Sequence, residues 1–171
     1  AGIAYSVNAQ LWSDGAYKER FFLLPGADSK VNYTTDRGWE FPEGSVLVKS
    51  FGIEREQGNS QSRQWVETRL LTKQLGQWLG YSYEWNAEQT DATLVGKEGV
   101  DRDFSVRDSA TSGGAKKQTW HYPSRTECMV CHSRAFNFVL GLSELQLNKT
   151  HDYGGVVDNQ LRTLEHLGIF K

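Results

Sequence analysis

The chain has 171 residues, a formal net charge of −2, a sequence pI near 6.1 and a mean hydropathy of −0.58. That balance leaves no basic surplus to hold nucleic acid and no polybasic patch for a membrane surface, and no apolar run is long enough to span a bilayer. Two cysteines in the whole chain cannot make a disulfide framework, so six tryptophans, seven tyrosines and eight phenylalanines must carry much of the core.

Residues 1–55 read as β-rich. Leu11-Trp12 and Phe21-Phe22-Leu23-Leu24 are short apolar runs, closed by Ser13-Asp14-Gly15 and by Pro25-Gly26-Ala27-Asp28. Phe41-Pro42-Glu43-Gly44 marks a turn before the strand-like Ser45–Phe51, and the polar stretch 54–62 reads as a hairpin loop. Strand character is strongest in the middle, over 64–73, with a Gln74-Leu75-Gly76 turn after it. Leu79, Tyr81, Tyr83 and Trp85 then fall at every second position, which puts four large side chains on one face of a strand. The expectation is that this face is sheet core; the alternative is an exposed aromatic platform for a sugar or a partner protein. Thr90–Val95 is a further short strand. Residues 96–117 are charged and glycine-containing and read as a long loop or loose hairpin, followed by a last strand over Gln118–Tyr122. Asp101 and Asp103 lie in that loop without the other positions of a calcium loop. Ala135, Phe138, Val139, Leu142 and Leu145 follow helical spacing, with Gly141 inside the pattern. Residues 148–155 are a turn, and Val157, Leu161, Leu164 and Gly168 mark the buried side of a final helix that begins near Asp158.

The chemistry-bearing stretch is Cys128-Met129-Val130-Cys131-His132, which uses both cysteines of the chain. C-x-x-C-H is the attachment pattern of c-type haem: each thiol adds to a haem vinyl group, and the adjoining histidine is the proximal iron ligand. A thioredoxin-like pair would need a strand and a βαβ setting before it, and Trp120–Arg125 offers none. A zinc site would need two more ligands at finger spacing, which His121, His151 and His166 do not supply. A disulfide across so small a loop would add little. Covalent haem implies an exported, periplasmic-type setting. No charged and apolar leader precedes residue 1, so the chain reads as a mature protein or an excised domain.

Other segments carry a resemblance. They are Tyr5–Ala9 with Leu11–Asp14, Trp39–Lys49, Glu67–Leu71, Tyr81–Asn86 with Gln89–Ala92, Pro123-Ser124-Arg125 before the motif, and Leu145–Asn148 after it. Together they resemble a family of exported bacterial haem proteins, a c-type cytochrome module similar to those of planctomycete proteins and often found beside sugar-dehydrogenase-like propeller domains. The resemblance implies a haem-bearing fragment of a larger redox protein, with a redox partner or a fused dehydrogenase domain.

The sixth iron ligand stays open. Met129, the only methionine, sits inside the attachment loop and cannot reach the far side of its own haem. His151 is the first distal candidate and His121 the second. His166 lies off the apolar stripe, and a Lys or Tyr ligand or a five-coordinate iron completes the alternatives. The reading is therefore an α+β chain: an antiparallel β-sandwich-like part over 1–120, then a small helical haem-binding part over 121–171. It is expected to hold one covalent haem c through Cys128, Cys131 and His132, and to transfer electrons rather than act as an enzyme. The alternatives are haem-based catalysis or ligand sensing at an open distal site, and a carbohydrate-binding sandwich with an accessory haem.

Overall fold

The computed structural model describes residues 2–171. Its frame is a six-stranded antiparallel meander, each strand paired with the next in sequence: β1 (Ile3–Ala4), β2 (Tyr17–Leu23), β3 (Val46–Glu54), β4 (Arg63–Gln74), β5 (Gln77–Trp85) and β6 (Ala92–Leu94). The pairings from β3 to β6 are closed by short connections, whereas longer segments, 5–16 and 24–45, join β1 to β2 and β2 to β3. The β4–β5 link is the two-residue turn Leu75-Gly76 expected from the sequence, and the β3–β4 link is the polar loop, with a single 3₁₀ turn at Ser60–Ser62. The rest of the chain is an α+β tail: a hairpin of β7 (Val100–Arg107) and β8 (Ala115–Tyr122), then α1 (Arg125–Cys131), α2 (Glu144–Leu147), a small ladder of β9 (Thr150–Asp152) with β10 (Val157–Asn159), and α3 (Gln160–His166). Among the described residues no helix is long and apolar enough to cross a membrane.

The sheet is covered on one face. Strand registry places Phe22, Leu47, Leu71 and Gly80 in one row across β2 to β5, and Arg20, Lys49, Arg69 and Ser82 in the next. The β7–β8 hairpin covers one end of this face, packing Trp120 and Tyr122 on Phe51, Ile53 and Val66. The C-terminal segments cover the other, where Val139, Leu142, Leu147 and Leu164 join Tyr5, Phe22, Trp39 and Leu71 in one core. That core runs through both the β-rich part and the helical part, and β8 itself spans the 120/121 boundary.

Several expectations are corrected. Leu79, Tyr81, Tyr83 and Trp85 do share a face, but it is the outward one. Their neighbours Trp78, Gly80 and Ser82 are the buried set, while Leu79 is 38% exposed. Alternation tells which residues lie together, not which side is covered. At Gly80 the covered side carries no side chain, because α1 lies close on it there. On the outer face the Trp85 indole N–H donates to Thr68 Oγ1 (2.9 Å), and the Arg125 guanidinium sits over the Tyr81 ring.

Second, the helix expected from Ala135 to Leu147 is broken. It holds only a 3₁₀ turn at Arg134–Phe136 and the short α2. Asn137 and Phe138 take left-handed backbone (φ 49° and 65°), and so does Gly141 (φ 95°), so the chain turns back on itself twice. Val139 and Leu142 are buried as expected, but Leu145 is 82% exposed. Third, 96–117 is not loose. Val100–Arg107 and Ala115–Tyr122 pair residue for residue, with Val106 buried, and Val157 lies exposed on β10 rather than on the buried side of α3. Leu11 and Trp12 are also outside any strand and exposed.

Two buried polar groups tie these layers together. Glu67 is fully buried and accepts from Arg69 Nε and Nη2 (2.7 and 2.9 Å) and from Trp120 Nε1 (3.0 Å), joining sheet to hairpin. Gln160, also fully buried, accepts from the Ser6 N–H (2.8 Å) and donates to the carbonyls of Ser6 (2.9 Å) and Leu147 (3.2 Å). Removing the Glu67 carboxylate leaves the indole N–H and much of a guanidinium unpaired. Glu67→Ala is expected to cost about 2–3 kcal/mol, at the low end because water screens the part-exposed Arg69. Urea denaturation with an unchanged slope and a lower midpoint checks this, and a midpoint equal to the parent's contradicts it.

Candidate functional site

The C-x-x-C-H motif lies on α1, and its helix is fixed at its start by a capping box. The Glu127 N–H donates to Ser124 Oγ (3.2 Å), and the Ser124 N–H donates to Glu127 Oε2 (2.7 Å). Ser124-Arg125-Thr126-Glu127 is the S-x-x-E signature of such a start, a signal present in the sequence beside the motif. Pro123 precedes it and separates α1 from β8.

Helix α1 rests on β5 at Gly80. A Cβ at that position would lie 2.6 Å from Cys128 Cβ and 2.9 Å from Cys128 Sγ, so only glycine lets the helix come this close. Cys128 and Cys131 are both free thiols, the first half-buried and the second exposed. Burial raises the Cys128 thiol above its ordinary pKa, which keeps it protonated at neutral pH.

His132 closes α1 and is held by the broken segment after it. Its Nδ1 lies 2.7 Å from the Phe138 carbonyl. A carbonyl can only accept, so Nδ1 carries the proton and Nε2 keeps its lone pair. Burial, with Lys49 and Arg69 adding to it, pushes the imidazole below its usual pKa, so the ring is neutral at pH 7. The left-handed Phe138 that ends the helical run is thus the residue whose carbonyl orients the histidine.

Cys128, Cys131 and His132 border a single cavity of about 440 Å³. Leu47, Leu71 and Gly80 form its floor. Tyr5, Val7 and Leu11 form one wall, and Leu140, Gly141 and Gln146 another. Arg20, Lys49 and Arg69 border it as well. A mostly apolar cavity with a few polar groups at its margins is the usual form of a cofactor site. Among the described residues no three His, Cys, Asp or Glu side chains come together as a metal-ion set.

The structure thus brings together Cys128, Cys131 and His132, and it places the other histidines elsewhere. The His151 Nδ1 is 3.1 Å from Ser6 Oγ, and its ring meets Tyr153 edge-on. His166 ends α3. His121 is exposed and bridges Asp101 (2.6 Å) and Glu127 (3.2 Å), so that β7, β8 and α1 are joined by one imidazole. Asp103 is also engaged, by Thr119 (2.6 Å) and Lys117 (3.1 Å). Sequence reasoning did not single out Arg20, Lys49 or Gly80. No local pattern marks them, because strand registry alone makes them neighbours. Comparisons with protein families, with curated proteins and with solved structures give no match.

Two outcomes follow from this geometry. Gly80→Ala is expected to push α1 off the sheet and cost about 1–3 kcal/mol, read as a lowered thermal midpoint, whereas an unchanged midpoint would mean that the helix shifts freely. His121 is raised above its usual pKa, chiefly by its hydrogen bond to Asp101 and then by Glu127. A raised folded-state pKa adds stability that is fully present below about pH 6.5 and is lost as pH rises through the higher folded value. His121→Gln is expected to flatten that part of the stability profile, and an unaltered pH slope contradicts the bridge.

Proposed function

We propose that this chain is a monohaem c-type cytochrome module that transfers electrons through a covalently bound haem. The observation that carries the reading is the joint position of Cys128, Cys131 and His132 on one apolar cavity, with His132 presenting a neutral Nε2. Cys128 and Cys131 would hold the group, each S–H adding across a vinyl C=C so that one S–C bond forms and the hydrogen goes to the second vinyl carbon, with no net oxidation. His132 would ligate the iron, its ring held by the hydrogen bond to the Phe138 carbonyl. The haem itself supplies a one-electron Fe(III)/Fe(II) couple. The chain's own part is to exclude water with Leu47, Leu71 and Val7 and to leave Leu11 and Leu140 part-exposed at the margin, where a donor can approach. The sequence resemblance supports an exported bacterial setting and a redox partner or fused dehydrogenase domain as that donor.

One observation favours a second reading, ligand binding or catalysis at an open iron site. Apart from His132, no histidine and no methionine borders the cavity.

Expression in a host with cytochrome c maturation tests both. One acid-resistant haem per chain is expected, staining after denaturing electrophoresis, and lost in Cys128→Ser with Cys131→Ser. Absence of any Soret band ends the haem reading. If the reduced protein ignores carbon monoxide, electron transfer stands; ready binding moves the assignment to ligand chemistry.

A further inference from the structure

One row of the covered sheet face is made of cations. Arg20 on β2, Lys49 on β3 and Arg69 on β4 are direct cross-strand partners, one register along from the apolar floor, and all three border the cavity. Among the described residues, only Arg69 of the three has its charge met, by the fully buried Glu67. Arg20 is 7% exposed, and its guanidinium donates to no acceptor among the described residues. The Lys49 ammonium likewise has no acceptor among them. It lies 4.8 Å from the centre of the Phe51 ring. The nearby carboxylates are spent: Glu67 on Arg69 and Trp120, Glu127 on Ser124 and His121.

Two adjacent cations thus face a mostly apolar space without an anion. Such a pair is costly until a negative group joins it. Lys49 shows that cost, since burial, then Arg20, Arg69 and Lys18, push its pKa down to about 7. The cations also lie at defined positions. Gly80, beneath Cys128, is on β5, and Arg20 is three strands away on β2, a span of about 14 Å at ordinary strand spacing. Cys128 thus sits at the β5 side of the cavity and Arg20 at the β2 side, with Lys49 between them on β3.

We propose that Arg20 and Lys49 form a carboxylate clamp for the acidic edge of the ligand this cavity holds. The guanidinium offers a two-pronged donor, and the ammonium adds a point charge. The identity of the carboxylates rests on the haem reading, under which they are the porphyrin propionates. The clamp itself rests on the unpaired cations. When filled, it gives Lys49 the counter-charge it lacks and restores the charged amine.

The full-length chain prepared without haem is titrated with protoporphyrin IX and with its dimethyl ester, followed by tryptophan fluorescence. The diacid is expected to bind at least about tenfold more tightly. The preference disappears when Arg20→Gln and Lys49→Gln are combined, and it survives in Lys49→Arg. Equal affinities in the parent, or a preference unchanged in the double variant, overturn the clamp. So does tight binding of inorganic phosphate without any diacid preference, which would make the pair a small-anion site. In the haem-loaded protein, the propionate bending band in the resonance Raman spectrum is expected to shift in each Gln variant and to return in Lys49→Arg; a band unmoved in both Gln variants also overturns it. If no haem attaches, the functional reading fails by itself, and the porphyrin titration still decides the clamp.

Discussion

The close approach of Cys128 to the backbone of Gly80 sets how α1 lies on the sheet. With no side chain at Gly80, α1 lies directly on β5, and the C-x-x-C-H residues face the same space as Leu47 and Leu71. A short helix cannot hold such a position by its own hydrogen bonds. It is held from both ends instead, by the Ser124–Glu127 capping box at its start and by the His132–Phe138 hydrogen bond at its finish. The breaks at Asn137, Phe138 and Gly141 belong to the same arrangement, because a continuous helix there would carry the Phe138 carbonyl away from the imidazole.

Polarity on the covered face is graded by row. Phe22, Leu47, Leu71 and Gly80 are dry; Arg20, Lys49 and Arg69 follow; beyond them, across β3 and β4, lie Phe51 and Glu67. Each covering element matches the row beneath it. The hairpin brings an indole N–H to Glu67, while the C-terminal segments bring Val139, Leu142 and Leu147 to the apolar end. The cavity lies between the sheet, α1 and the segments 5–11 and 140–146. Its mixed lining therefore follows from the order of the rows rather than from any single loop.

The central strands β2 to β5, the turns between them and the motif are legible in the sequence because each is a local signal, whereas the short β9 and β10 are not, lying where the sequence reads as a turn and the start of a helix. Alternation at Leu79–Trp85 marks a strand but not its buried side, since aromatic bulk on a sheet with one covered face does not reveal which face that is. The helical spacing over 135–147 correctly marked Val139 and Leu142 as buried. It missed the reversals that Asn137, Phe138 and Gly141 impose, because three or four apolar residues meet one core equally well from a turning chain. The hairpin over 100–122 was under-read because its charged residues pair with each other across the outer side, as His121 does with Asp101. The cation row had no local trace at all: its members are separated by 29 and 20 residues in sequence (positions 20, 49 and 69) and become neighbours only through registry.

The buried amide of Gln160 gives the first residues of the chain a weight that their place in the sequence conceals. It holds both backbone groups of Ser6, and the residues on either side, Tyr5 and Val7, are walls of the cavity. The segment around Ser6 is therefore a structural part, tied by Gln160 to α3. A shortened version starting after Val7 would lose a side of the chamber and leave a fully buried amide without two of its three partners. For anyone fusing, trimming or tagging this molecule, the usable boundary lies ahead of the strand Ile3–Ala4.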